Sequence, residues 1–336
     1  MPLFLALLRD ETAASPERRA AALAGLRRYQ TAPRPAPRPP KPAIAASGRA
    51  RLRDYGGTGR PVVFVPSLIN PPQVLDLARG NSLLRWLSRQ GVRPMLVDWG
   101  TPTPAERDMD VTAHVERLLL PMLRSLPRPP VLVGYCLGGT LAIAAASVTE
   151  TAGLATIAAP WHFRAYGEAT QSAAALWAQA RRPSRQLGLM PMEVLQAGFW
   201  QLDPARTVAK FERFGRLPPS SAAARAFVVL EDWANGGAPL TWATGRQLFD
   251  DFFTADLPGT GAWQVEGRSV DPRALSCPTL AFVSTTDRIV PAASAPSAGT
   301  VFESALGHVG MVVGSRGRTA LWQPLADWLT ALPASR

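Results

Sequence analysis

The sequence predicts an α/β protein: a mostly parallel central sheet, helices on both faces, and a mainly helical insertion. Three observations predict it. From residue 60 onward, short β-branched apolar runs alternate with helix-patterned segments. These runs are apolar at consecutive positions, as in strands buried on both faces. One interruption, at about 161–265, drops the rhythm and is rich in Trp, Phe, Gln and Ala in a helical pattern.

The chain has 336 residues, 47% hydrophobic and 18% charged, which suits one large domain or two small ones and excludes a disordered chain. Two cysteines make no disulfide framework, so a reducing, cytoplasmic setting is expected. The three histidines, His114, His162 and His308, lie far apart, and no metal-ligand cluster is expected. The opening MPLFLALLRDE is read as neither leader nor anchor, and no stretch reaches the ~20 apolar residues of a membrane span. The formal net charge is +11, and nearly all the basic residues are Arg, with only Lys41 and Lys210 as Lys. Codon composition of a GC-rich genome explains that bias; attraction of an anionic partner is the functional alternative. No basic block is interleaved with aromatics, so nucleic acid is not an expected partner.

In chain order, SPERRAAALAGLRRYQ predicts an amphipathic helix within residues 1 to about 30, with Ser15 as its cap and Glu17 in its first turn. TAPRPAPRPPKPA follows as an extended connector. Residues 1–45 are therefore read as an N-terminal helix and connector, and 46–336 as the α/β domain. Strands are expected at PVVFVPS (61–67), RPMLVDW (93–99), PVLVGYC (130–136), LATIAAP (154–160), PTLAFVST (278–285) and TVFESA (300–305). Helices are expected at NSLLRWLSRQG (81–91), from Asp110 through DVTAHVERLLLPMLRSL, at LGGTLAIAAAS, and at GRTALWQPLADWLTAL, where Pro324 is a kink or an early-turn residue. The insertion at 161–265 follows a central strand, so it is expected above the sheet's carboxyl edge as a cap, where ligands bind in such folds.

The chemistry concentrates at G-Y-C-L-G-G, residues 134–139, between a strand and a helix. A strand, G-x-nucleophile-x-G and helix form the nucleophile elbow of the α/β-hydrolase fold. The tight turn needs neighbours without bulk, which Gly134, Gly138 and Gly139 provide. The helix N-terminus then points free N–H groups at the reacting centre and favours the anionic form of a nucleophile. Cys136 is the expected nucleophile. Leu137 N–H is one expected oxyanion donor, and Leu68 or Ile69, after the first long strand, supplies the other. The elbow also orders its partners as nucleophile, acid, histidine. Asp287 follows the strand 278–285 and His308 follows 300–305, so His308 is expected to take the thiol proton and Asp287 to orient it. Asp250, Asp251, Asp256 and Asp271 are competing acids outside that order. His114 is expected at the surface of its helix, His162 near the pocket mouth in a structural role, and Cys277 as a small hydrophobe.

With these residues in place, the sequence resembles the polyhydroxyalkanoate synthases, α/β-hydrolase-fold enzymes with a G-x-C-x-G-G box. VPSLINPPQVLDLARGNSLLRWLSRQGVRPMLVDWGTP, CPTLAFVSTTDRIVP and LGHVG carry the likeness beyond the elbow. The family commonly has His at Arg288, Trp at Ala292 and Asp at His162, so the likeness departs at the pocket rim. It implies a class III-like catalytic subunit. Cys136 would attack a 3-hydroxyacyl-CoA thioester, release CoA, and pass the acyl group to a growing polyester chain, with no cofactor beyond the CoA substrate. It further implies a cytoplasmic enzyme at a polyester granule surface, with a partner subunit or a homodimer. A Cys-dependent depolymerase or acyl-CoA thioesterase, and a non-catalytic granule protein, stay open as alternatives.

Overall fold

The computed structural model describes residues 2–333, which cluster into two compact units. One unit takes the described residues up to Pro39 together with Met192–Gly237. The other takes Pro40–Pro191 and the described residues from Ala238 onward. The second unit carries the sheet and all the residues of the predicted site.

Eight strands form that sheet: β1 Ala43–Ser47, β2 Ala50–Asp54, β3 Pro61–Val65, β4 Arg93–Asp98, β5 Val131–Tyr135, β6 Gly153–Ile157, β7 Thr279–Ser284 and β8 Thr300–Ser304. Their order is β1-β2-β4-β3-β5-β6-β7-β8. From β4 to β8 all neighbours run parallel; β1 and β2 form an antiparallel hairpin that pairs antiparallel with β4. Every residue of β3, β5 and β6 is buried, as consecutive apolar positions require.

All six expected strands are present. The hairpin is not among them: AIAAS and ARLRD alternate small or apolar residues with exposed or charged ones, a weak signal at a sheet edge. Because the sheet starts at Ala43, the expected boundary at 45/46 would cut its first strand. The expected single N-terminal helix is two, α1 Pro2–Glu11 and α2 Pro16–Thr31, with Ser15 capping the second through Arg18 N–H. The 161–265 insertion also divides between the units. Its middle forms helices Met192–Gln201, Pro204–Arg216 and Ala222–Ala234, which share a core with α1 and α2 built on Phe4, Leu8, Leu26, Val208 and Phe211. Gly25 marks that contact: a Cβ there would lie 2.0 Å from Phe211 O.

The insertion's flanks stay with the sheet. They comprise a short 3₁₀ turn Phe163–Tyr166, the helix Glu168–Leu187, and a helical run over 242–254. An aromatic cluster holds them, with Trp161 against Trp263, Phe163 against Phe252 and Phe253, and Trp177 stacked on Phe249. Pro324 stands inside a continuous helical run, where the wide-turned segment Arg318–Trp322 passes into the α-helix Gln323–Ala331, so it is a mid-helix proline at a change of winding.

His114 corrects a sequence expectation. It is 3% exposed, not on the surface. Its Nδ1 lies 2.7 Å from Asp110 O and its Nε2 lies 2.6 Å from Arg49 Nη2. Arg49 can only donate, so His114 is neutral, with its proton on Nδ1. Burial first, and then the Arg49 charge, push His114 down to about 4. Glu116 and Arg117, close by in sequence but on the other side of the helix, hid this packing.

Candidate active site

Cys136 stands between β5 and the helix Leu137–Val148, at φ 54° and ψ −133°. A non-glycine residue there is strained, and the surroundings hold it. Its N–H donates to Ile157 O at 2.9 Å, and its carbonyl accepts Gly139 N–H at 2.8 Å. Three glycines make the turn possible by close approach. A Cβ on Gly134 would lie 2.3 Å from Gly139 Cα. One on Gly138 would lie 2.0 Å from Val65 O, so this glycine fits the helix against the end of β3 rather than against its own strand. One on Gly139 would lie 2.3 Å from Ala159 Cβ, beyond β6.

The strand order brings the other residues to the same edge. Asp287 follows β7 and His308 follows β8. His308 Nδ1 is 2.6 Å from Asp287 Oδ2, and the Asp287 side chain has no solvent exposure. Asp287 Oδ1 accepts Ile289 N–H at 2.7 Å and Val290 N–H at 3.1 Å, which fixes the carboxylate. On its other side His308 lies near enough to Cys136 for the two side chains to interact. His308 and Asp287 are thus a hydrogen-bonded pair beside Cys136, and Tyr135 lies against the imidazole with ring centroids 5.1 Å apart. Burial favours neutral His308, but the negative charge at Cys136 and the Asp287 hydrogen bond outweigh it and raise His308 to about 10.

The competing acids are engaged elsewhere. Asp250 pairs with Arg181, Asp251 with Arg246 and Asp271 with Arg273, while Asp256 accepts Phe163 N–H. Cys277 accepts a hydrogen bond from Thr151 Oγ1 at 3.4 Å, and His162 Nε2 lies 3.3 Å from Ser297 Oγ.

The oxyanion donors divide. Leu137 is the first residue of its helix, so its N–H has no intrahelical acceptor. Ile69 N–H donates to Ser67 Oγ at 3.1 Å, which corrects its expected role: that amide is already committed to the buried serine. Leu68, 8% exposed on the same loop, remains. The loop is held by Trp99 Nε1–H donating to Pro66 O at 3.0 Å, a contact that the D-W pair at 98–99 did not announce.

An elbow on the central strand, with an acid and a histidine after the last two strands of this sheet, defines a class. The chain belongs to the alpha/beta hydrolase family, which residues 62–320 match. Within that class the likeness falls on one group of enzymes, bearing out the resemblance in the sequence. The chain is 28% identical over 289 residues to the poly(3-hydroxyalkanoate) polymerase subunit PhaC of Haloferax mediterranei, an alignment covering 80% of this chain and 58% of that protein. It is 25% identical to the protein of the same name from Haloarcula marismortui, covering 80% of this chain and 60% of that one. For the Synechocystis sp. protein of that name the identity is 26%, covering 80% and 77%. The chain thus spans about three-fifths of the length of the two haloarchaeal relatives. Among solved structures, an epoxide hydrolase from Bacillus megaterium superposes with a TM-score of 0.55 at 13% identity, covering 86% of this chain and 100% of that one. An esterase from Exiguobacterium antarcticum gives 0.53 at 15%, covering 86% and 98%. At those identities the likeness is one of fold. Among the described residues, no helix is long and apolar enough to cross a membrane.

Proposed function

We propose that the protein is a polyhydroxyalkanoate synthase-like acyltransferase that polymerises 3-hydroxyacyl-CoA through an acyl group carried on Cys136. The observation that carries this reading is a cysteine at the strained elbow, beside a histidine that an unexposed aspartate holds at 2.6 Å. The likeness to the poly(3-hydroxyalkanoate) polymerase subunits supports the substrate class.

In this reading the Cys136 thiolate attacks the thioester carbonyl carbon. The oxyanion is met by Leu137 N–H and by Leu68 N–H. The carbon–sulfur bond to CoA breaks, and the departing sulfur takes the proton of the His308 imidazolium. Exchange of one thioester for another is close to thermoneutral, which is a reason to use cysteine here. The hydroxyl of a chain end then attacks the acyl-cysteine as His308 accepts its proton, and the ester forms as Cys136 is released. Asp287 holds the imidazole throughout. Water must be kept from the acyl-enzyme, and the sheet-bearing unit carries a buried aromatic cluster of Trp161, Phe163, Phe252 and Trp263 on the flanks of the insertion. The product stage is set at a cytoplasmic granule surface, with a partner subunit or a second copy of the chain completing the enzyme.

The test supplies 3-hydroxybutyryl-CoA and a medium-chain analogue to wild type and Cys136→Ala, and follows thiol release and the fate of the acyl group. Cys136-dependent release with insoluble polyester is the expected result. Release with only free hydroxy acid would make the protein a hydrolase instead. Activity that survives unchanged in Cys136→Ala would remove the cysteine from the mechanism.

A further inference from the structure

The sheet-bearing unit holds a cavity of about 380 Å³ at the amino ends of its strands, the edge opposite to Cys136. The start of β3 contributes Arg60 and Val62, the turn before β4 Val92, the start of β5 Val131, and the end of the last helix Leu329 and Leu332. Cys136 follows the carboxyl end of β5, so roughly 16 Å of strand separates it from Val131.

The space has a physical cause. Neighbouring parallel strands start level here, with Val62 paired to Val131. The chain enters β4 through Gly91, another lining residue, at φ 78°, a conformation that suits glycine. A Cβ on Gly91 would meet no heavy atom within 4 Å. The turn therefore leaves room that no side chain fills.

The lining divides by chemistry. Three buried valines and two leucines make an apolar wall. Arg60 and Arg128 bring the only charges, and among the described residues no acidic side chain lines the cavity. Arg60 is held in place, because its Nη2–H donates to Pro333 O just beyond the helix Gln323–Ala331. Arg128, before β5, is exposed and has no hydrogen-bond or ion-pair partner among the described residues.

Guanidinium charge beside an apolar wall suits an anion with an apolar body. A carboxylate fits the arginine fork with two parallel hydrogen bonds. A bare phosphate would leave the valines and leucines facing water, whereas a hydrocarbon chain covers them. The volume is at the small end of the ~300–1,000 Å³ usual for ligand pockets, which calls for a short body.

We propose that this cavity is a second binding site, remote from Cys136, for a short- to medium-chain carboxylate. Arg60 and Arg128 hold the carboxylate, and the apolar wall covers the chain. The site does not depend on the chemistry proposed for Cys136.

Calorimetric titration of octanoate, octanol and inorganic phosphate into wild type and Arg128→Glu tests this. Wild type is expected to bind octanoate about tenfold or more tighter than octanol, which lacks the charge, and than phosphate, which lacks the chain. Arg128→Glu is expected to weaken octanoate by about tenfold or more and to leave octanol unchanged. Its unfolding temperature without ligand is expected to match wild type, because Arg128 holds nothing in place. Octanoate binding that Arg128→Glu leaves unchanged, as a chain lodged beside Cys136 would give, overturns the proposal. So does octanol or phosphate binding as tightly as octanoate, an equal loss of octanoate and octanol in Arg128→Glu, or no octanoate binding by wild type.

Discussion

His308 Nδ1 stands 2.6 Å from Asp287 Oδ2, on a carboxylate whose other oxygen already accepts two backbone N–H groups. The acid is therefore fixed before the histidine binds it, and the histidine is fixed before it meets Cys136. Asp287→Asn keeps the shape but can place an N–H where an acceptor is needed. The rate of Cys136 acylation is expected to fall roughly 10³-fold or more, with the fold retained. Single-turnover kinetics and circular dichroism check both halves of that statement.

The proton on His308 depends on its neighbours. The negative charge at Cys136 is the largest of the effects that raise His308 to about 10. Cys136→Ala removes it and leaves burial, which favours the neutral ring, opposed by the Asp287 hydrogen bond and charge alone. The His308 titration is expected to move down in that variant. Ring-proton NMR against pH reads this directly, and an unmoved titration would mean that the two groups are not coupled.

His114 predicts an acid sensitivity away from the site. Its folded value is about 4 against 6.5 for a free imidazole. Between those values the unfolded chain holds a proton that the folded one lacks, so stability falls as pH falls through that window. The loss approaches roughly 3 kcal/mol at its lower end. Urea unfolding at pH 7 and pH 4.5, for wild type and His114→Gln, is expected to show a smaller acid loss in the variant.

Gly138 is predicted to tolerate no side chain. The Cβ of Gly138→Ala would lie 2.0 Å from Val65 O and 2.6 Å from Pro66 C, both backbone atoms that cannot swing aside. The variant is expected to lose roughly 3 kcal/mol of stability, and activity with it, because the elbow and the post-β3 loop must separate. Thermal unfolding together with CoA release measures the pair of effects.

Much of this was legible in the sequence, for physical reasons. Strands buried on both faces must be apolar throughout, so β3, β5 and β6 announced themselves. The elbow glycines were legible because close approach admits no other residue. Asp287 and His308 were found by order along the chain and position after strands, not by local pattern. Other features depend on tertiary contacts that leave no periodic mark. In the hairpin, β1 is small and mostly exposed and β2 alternates apolar with charged residues, so little sets it apart from the connector before it. The burial of His114 depends on Arg49, 65 residues earlier in the chain. Ile69 lost its expected role to a hydroxyl two residues before it. The grouping of the first helices with 192–237 follows from Gly25 meeting Phe211, a contact between segments far apart in the sequence.

The most direct measurement is the mass of the peptide carrying Cys136 after a rapid acid quench with 3-hydroxybutyryl-CoA. The account predicts one hydroxyacyl group on Cys136, formed as CoA is released, and none in Cys136→Ala. CoA release with Cys136 unmodified at every quench time, or with the acyl group on another residue, would contradict it.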